Sequence, residues 1–433
     1  MDDSTRQAVA ESLRAEVAAL ADWLQGEADL TLEVAEVGLL ERLRALGARL
    51  LEAEVARRGA GQAGPRLACA CGGTAAFEGY RVKGVQTLLG GARVRRAYYA
   101  CARCGRGQAP LDARLGLARD SHSPGVRRLA SRFGALLPFA QAAATLAEAT
   151  GVRLSPSTAR TLTEAVGARR EAALVAQAAE AWARGLPPVA GAARDLLYVA
   201  MDGVRILGTA GDGMEAKVGV VLPVRRDAGG EKRLAASYAV SFGPAARFGP
   251  RLALEAHRRG LERARRVVVL GDGAAWIWAL AAEHFPTATC IVDWWHASAR
   301  VWELGKALHG EGTPAAAAWV DAQLTRLARG DVATLVAEWR ALTCGGAAAE
   351  ARDEQVTYFT NQAPRMAYDR YRAEGLDIGS GMVESANKAV IAMREKGPGM
   401  RWTEAGAEAV AQVRVLLDND RWDAFWAAAP AAA

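Results

Sequence analysis

Apolar residues recur at spacings of three and four through the first fifty positions, as Val9, Leu13, Val17, Leu20 and Leu24, then as Leu39, Leu43, Leu46 and Leu50. That period predicts amphipathic helices over residues 4–58, with the second stripe packed inside the chain or paired with a second subunit. A Gly/Ala/Pro stretch at 59–65 closes the segment, and a hairpin of two strands turning at Gly90-Gly91 follows. Residues 124–183 return to helical spacing. Within them a helix at 139–148, the break Thr150-Gly151-Val152-Arg153-Leu154 and a second helix opened by Ser155-Pro156-Ser157-Thr158 form a helix-turn-helix-like pair. Ser155 suits the cap and Pro156 the first helical position. After the linker Gly185-Leu186-Pro187-Pro188 the pattern changes to strand-like runs at 196–203, 215–222 and 236–242. A helix at 250–263, a strand at 266–271, a helix at 274–284 and a strand at 287–292 come next, and residues 298–372 carry helix-period Leu, Ala and Trp.

With 433 residues and 51% hydrophobic composition, the chain has material for roughly three domains. The expected fold is multidomain α+β: helices at 1–58, a zinc-ribbon-like module at 66–120 and a helical DNA-binding region at 121–185. A ribonuclease H-like α/β core follows at 190–297, interrupted by an all-helical insertion at 298–375 and completed by helices at 376–427. The core is read from its order, a three-strand meander followed by helix, strand, helix, strand, in which the first and fourth strands lie side by side. No run approaches about 18 apolar residues, and the acidic start Met1-Asp2-Asp3 lacks the regions of a signal peptide, so a cytoplasmic protein with no membrane association is expected. The net charge of +6 permits nucleic acid as a partner without pointing to it.

Clustered residues are more informative. Four of the six cysteines stand as Cys69-Ala70-Cys71 and Cys101-Ala102-Arg103-Cys104, at the two ends of the expected hairpin. Zn²⁺ takes four ligands in a tetrahedron, and two close thiolate pairs supply them without a histidine. The second pair has the usual spacing and the first is tighter. Reduced free cysteines and redox chemistry are the alternatives, and disulfides are disfavoured in a cytoplasmic setting. Arg93 and Arg95 share one face of the hairpin by the period of two, either as a solvated basic face or as phosphate contacts. Thr158, Arg160 and Thr161 face outward early in the second helix of the helix-turn-helix-like pair, where such motifs touch DNA.

Three carboxylates complete the picture. Asp202 ends the apolar run 196–201, Asp272 ends 267–271, and a glycine follows each, so both are expected at the same end of a central sheet. Glu384 lies where a small-residue turn, Ser380-Gly381-Met382-Val383, opens a helix. Such a set suits hard cations, Mg²⁺ or Mn²⁺, held as two ions per site for phosphodiester chemistry. Asn387 and Lys388 share the helical face of Glu384, and Arg394, Lys396 and Arg401 extend a basic edge towards a DNA backbone or are ordinary surface charge.

The string Gly379-Ser380-Gly381-Met382-Val383-Glu384-Ser385, followed by Gly399-Met400-Arg401-Trp402 and Arg421-Trp422-Asp423, resembles the C-terminal signature of the DDE transposases of the ISKra-type bacterial insertion sequences. The cysteine module, Pro110-Leu111-Asp112 and Leu115-Gly116-Leu117 match the N-terminal half of that family, so the resemblance covers nearly the whole chain. It implies a transposase that binds the terminal inverted repeats of an insertion sequence and cleaves and joins DNA with Mg²⁺, using Asp202, Asp272 and Glu384 as the catalytic triad. It also implies double-stranded DNA as partner, a homodimer, and a nucleoid location when bound. Asp293-Trp294-Trp295-His296 resembles the D-x-x-H element of Mutator-like and hAT-like transposases, which implies auxiliary roles for Asp293 and His296; His296 either positions a phosphate or a water near the metals or caps the helix after the strand. Trp302, Trp319 and Trp339 of the insertion pack in its core or meet a flipped base. A stand-alone nuclease or resolvase on the same fold, and a non-catalytic DNA-binding regulator, are the rival readings. A glycosidase leaves the cysteine module unexplained.

Overall fold

The structure is a computed structural model that describes residues 3–26, 31–117, 121–227 and 230–428. The side chains of Val9 and Leu13, two members of the first predicted stripe, lie outside the described residues. The chain is a mixed α and β protein that divides into two compact units, Met1–Val166 with Arg421–Ala433, and Gly167–Asp420. No helix among the described residues is long and apolar enough to cross a membrane.

The first unit opens with helices α1 (Asp3–Gly26) and α2 (Leu32–Arg57), the latter capped by Thr31, whose Oγ1 accepts from the Val34 amide at 3.3 Å. An antiparallel sheet in the order β1 (Arg66–Ala68), β2 (Thr74–Thr87), β3 (Gly90–Cys101), β4 (Gly107–Gln108) follows. The hairpin turns at Leu88-Leu89, two residues before the expected Gly90-Gly91. Thr87 and Gly90 pair as the last rung, and the Thr87 hydroxyl bonds both the Gly90 carbonyl and the Leu89 amide. A side chain thus closes the loop, and Gly90 supplies the positive φ of 115° that opens β3. Val85 and Val94 on the inner face pack with Leu111 of α3 (Pro110–Arg114) and with Leu117. Helices α4 (Pro124–Leu136), α5 (Phe139–Thr150) and the start of α6 (Pro156–Arg184), whose residues from Gly167 on belong to the second unit, have the predicted helical character. Gly151 in the left-handed region ends α5, and the Ser155 hydroxyl accepts from the Thr158 amide at the start of α6. Val126, Ala130, Leu146, Val152 and Leu162 form their shared core.

The second unit is built on a mixed sheet of β5 (Arg194–Leu207), β6 (Gly213–Asp227), β7 (Gly230–Arg233), β8 (Ser237–Ser241), β9 (Ala264–Gly271) and β10 (Thr289–Val292). Its order is β10-β9-β5-β6, with β7 and β8 both paired to β6. β5, β9 and β10 run parallel, whereas β6 is antiparallel to β5 and β8 to β6. The parallel strands are buried, which is why residues 196–201 and 267–270 read as unbroken apolar runs. Between β8 and β9 the helix α7 is Ala245–Arg258, earlier than the expected 250–263; Pro244 caps it and Pro250 lies inside. Proline at position 250 was read as a first helical residue, but an internal one is accommodated here. Helix α8 (Ala275–His284) joins β9 to β10.

The stretch expected as an insertion is helical, as α9 (Trp294–His309), α10 (Pro314–Leu327), α11 (Val332–Ala341), α12 (Ala347–Gln362) and α13 (Tyr368–Ala373). Then come α14 (Gly381–Ala386), a π-helical turn at Asn387–Ala392, α15 (Met393–Glu395) and α16 (Glu404–Asp418). Every residue of α16 from Gly406 to Leu416 is buried. Glu408 on that helix accepts from Arg251 at 2.8 Å, Arg247 at 3.0 Å and the Phe242 amide at 2.7 Å, fastening it to α7 and β8. Finally α17 (Trp422–Ala427) belongs to the first unit, where Asp423 pairs with Arg128.

Candidate functional site

The four cysteines converge in the first unit. Their sulfurs lie within 4.8 Å of one another, with Cys69 Sγ 3.6 Å from Cys104 Sγ and Cys71 Sγ 3.7 Å from Cys101 Sγ. A tetrahedron of thiolates about 2.3 Å from a central Zn²⁺ has edges of about 3.8 Å, so these four fit that ion. The tight first pair has a structural explanation. In both loops the second cysteine precedes a glycine with positive φ, Gly72 at 77° and Gly105 at 69°. In both, the first cysteine's amide donates across the loop, Cys69 to Gly73 O and Cys101 to Arg106 O, and its carbonyl accepts from that glycine. The C-x-C loop is the C-x-x-C loop with one residue removed. The Cys104 amide facing the Cys101 sulfur brings its thiol down to about 7, while at Cys71 the Gly73 amide is outweighed by the neighbouring thiols and burial, which push it up to about 12, so without an ion the cluster favours a thiolate at Cys101.

The second unit gathers the acidic groups. The β5/β9 ladder ends at the rung Ala200 to Leu270; Asp202 follows two residues later within β5 and Asp272 two residues later just past the end of β9, so both stand at the same end of adjacent parallel strands. Asp202 was expected to end its strand, yet β5 continues to Leu207 because its ladder with β6 runs on, Asp202 opposite Val218. Gly203 is accordingly a strand residue, whereas Gly273 takes a φ of 104° in a true turn. Asp202 Oδ1 accepts from the Gly203 amide at 2.7 Å and Oδ2 from Asn387 Nδ2 at 2.6 Å. Burial raises the Asp202 carboxyl above its ordinary value; its two hydrogen bonds oppose this and the charge of Asp272 adds to it. Asp272 Oδ1 accepts from the Ala274 amide at 2.8 Å.

Asp293 and His296 stand beside this pair. Asp293, 1% exposed, caps α9: its Oδ1 accepts from the His296 amide at 2.8 Å and lies 3.2 Å from His296 Nδ1, and its Oδ2 accepts from the Ser380 amide. Burial pushes the Asp293 carboxyl up, but those bonds outweigh it and hold it below its ordinary value. The half-exposed His296 is raised, first by its bond to Asp293 and then by the charges of Asp293, Asp272 and Asp202, against the effect of burial.

Glu384 does not join the cluster. It is exposed on α14, one turn before Asn387, and among the described residues the four thiols are the one group of three or more candidate ligand side chains within 4.8 Å. Asp272 is near enough for its charge to act on Asp202, whereas the three expected carboxylates do not form a group within 4.8 Å. Asn387, expected on a DNA-facing surface, instead holds Asp202, because the α14 segment packs on β5 and β6. Arg394 is also corrected: it is 1% exposed with its guanidinium over the Trp402 ring, and burial lowers it to about 10, so it is no part of a basic edge. Lys388, Lys396 and Arg401 are exposed.

Two residues were missed. Tyr358 Oη donates to the Asp272 carbonyl at 2.7 Å, and Gln362 Nε2 donates to the Gly273 carbonyl at 2.9 Å, so α12 clamps the turn that carries Asp272. No spacing in the sequence signals this, since the partners are backbone atoms more than eighty residues away. Trp295 is 69% exposed next to His296. Of the insertion tryptophans, Trp339 is a core residue bonded to Gln323, Trp319 is partly buried against it, and Trp302 is 39% exposed.

In the first unit Arg93 and Arg95 are exposed on one face of the hairpin, with Arg95 stacked 3.8 Å over the Tyr80 ring. Arg160 and Thr161 are exposed near the start of α6, and Thr158 is half-buried with its hydroxyl 2.8 Å from that of Ser155. Comparison of the chain with protein-family models and with curated proteins finds no match.

Proposed function

We propose that this chain is a DNA transposase of the DDE type, with a ribonuclease H-like core, that binds transposon ends and carries out Mg²⁺-dependent cleavage and strand transfer. The observation that carries the reading is that Asp202 and Asp272 each lie two residues beyond the last rung of the parallel β5/β9 ladder, near enough for the Asp272 charge to raise the Asp202 carboxyl, with Asn387 tying the Glu384 helix to Asp202. Support also comes from the strand order β8-β6-β5-β9-β10, that of a ribonuclease H-like sheet. Asp202 and Asp272 offer carboxylate oxygens suited to a divalent cation, which when bound activates the attacking oxygen and steadies the leaving one. Glu384 lies outside that set as the chain is arranged here, and the reading requires its turn of helix to move towards Asp202 on DNA. The chain's own contributions are then distinct. Asn387 fixes the orientation of Asp202, Tyr358 and Gln362 fix the Asp272 turn, and the His296 imidazolium, oriented by Asp293, is available to a phosphate oxygen. Lys388, Lys396 and Arg401 meet the DNA backbone. In the first unit the zinc-stabilised hairpin, through Arg93 and Arg95, and the start of α6, through Thr158, Arg160 and Thr161, hold the ends.

A pre-cleaved end with a 3′ hydroxyl, incubated with plasmid and Mg²⁺, tests the reading. Wild-type protein is expected to join the two, and Asp272→Asn and Glu384→Gln each to lower cleavage and joining on the order of 10³-fold or more while end binding survives. Retained activity in Glu384→Gln removes that residue from the triad, and cleavage without joining makes the protein a nuclease. The open position of Glu384 favours a second reading, a non-catalytic DNA-binding regulator. End binding by a wild-type protein that neither cleaves nor joins selects it.

A further inference from the structure

The segment that carries Glu384 is interrupted by the π-helical turn Asn387–Ala392, six residues between α14 and α15. A π turn holds one residue more than an α turn of the same rise, and such turns are rare and recur at functional sites. This one is held from outside, because the buried Arg414 guanidinium of α16 donates to the Ala389 carbonyl at 2.9 Å and to the Val390 carbonyl at 2.9 Å. On its carboxyl side α15 is anchored: Arg394 and Glu395 are buried, and Trp402 Nε1 donates to the Glu395 carbonyl at 3.0 Å. On its amino side the chain can turn, since Gly379 and Gly381 flank Ser380 and a Cβ at Gly381 meets nothing within 4 Å.

Helix geometry gives the consequence. When the turn relaxes to α with α15 fixed, each residue before it moves into the place its predecessor now holds, a rotation of about 100° and a shift of about 1.5 Å. The buried Val383 gives its place to Glu384, and Asn387, which now bonds Asp202, gives its place to Lys388. Ala386, also buried, gives its place to Asn387 and moves to the exposed place of Ser385. Glu384, Asn387 and Lys388, three and four residues apart, are then together on the face that packs on β5 and β6. Glu384 brings a third negative charge towards Asp202 and Asp272, so cations favour the shift: Lys388 arrives with one, and a divalent ion adds more.

We infer that Glu384 reaches the two aspartates by this one-residue shift, with Lys388 replacing Asn387 at Asp202 and Arg414 as the positioning residue that holds the turn in its π form until then. The role given to Glu384 rests on the transposase reading; the shift rests on the helix alone. Iodoacetamide alkylation, read peptide by peptide with mass spectrometry, tests it on the full-length protein without DNA. The thiol of an Ala386→Cys variant is expected to react slowly, and on the order of tenfold faster in millimolar Mg²⁺, whereas that of Ser385→Cys, exposed in both registers, keeps one rate. Adding Arg414→Met to Ala386→Cys is expected to give the fast rate without Mg²⁺. Deleting Ala389, which leaves the turn no extra residue to release, is expected to keep the slow rate throughout, even beside Arg414→Met. An Ala386→Cys thiol indifferent to Mg²⁺, a rise at both reporters together, or a deletion variant that still responds overturns the inference. The expected alkylation pattern in a protein that joins no DNA leaves the shift standing and removes the transposase reading.

Discussion

Asp293 accepts three hydrogen bonds from two segments, two from His296 and one from the Ser380 amide. It therefore fixes the imidazole and the approach to α14 together. Its carboxyl is held below the ordinary 3.8 and His296 is raised above the ordinary 6.5. A lowered acid contributes stability that is present above its unfolded value and lost as pH falls through the folded one. A raised base contributes stability that is present below its unfolded value and lost as pH rises through the folded one. The pair is thus at full strength between 3.8 and 6.5 and weakens outside that window on both sides. Proton NMR titration of His296 is expected to show a midpoint above 6.5, and Asp293→Asn to lower it. An unchanged midpoint in the variant removes Asp293 as the cause. The i, i+3 spacing of these two was legible in the sequence, because an N-cap acid and the residue a turn later meet by helix geometry alone. Ser380, Tyr358 and Gln362 were not, because their partners are brought close by the folded chain.

At the scale of elements, local chemistry predicted well where it is self-contained. The two cysteine loops needed four thiols, glycines after Cys71 and Cys104, and a hairpin to bring them together, all present in the primary sequence. The helix start at Ser155-Pro156 likewise follows from its cap. Reading failed where a neighbouring strand decides the outcome. Asp202 was read as a strand end because the apolar run stops at Met201, but an antiparallel partner on one side keeps β5 extended through alternating positions to Leu207. Arg394 was read as surface charge because nothing in its spacing announces the Trp402 ring above it. The hairpin gives a direct test of the cysteine site. Purified protein is expected to hold one zinc per chain by elemental analysis, and Cys101→Ser to lose it and to melt on the order of 10 °C lower. A wild-type protein free of zinc, or a variant that keeps both metal and melting temperature, excludes the assignment.

For the whole molecule, the strand sequence of the second unit was legible because its buried parallel strands are apolar throughout, and a long helical stretch after β10 was legible from its period. Invisible from sequence was how much depends on one late helix. Between Gly406 and Leu416 no residue of α16 reaches solvent, and Glu408 supplies acceptors for Arg247, Arg251 and the end of β8. Removing the helix leaves those arginines with Glu171 alone as carboxylate partner and uncovers the apolar faces packed on α16, a large loss against the roughly 5–15 kcal/mol by which domains are stable. A chain terminated after residue 403 is expected to lack the near-ultraviolet circular dichroism of fixed aromatic packing; a native-like spectrum contradicts this. The order of synthesis then matters. A nascent chain reaches the helix at the centre of the second unit only after residue 404 has been added. During synthesis the second unit therefore completes its packing only once α16 has left the ribosome.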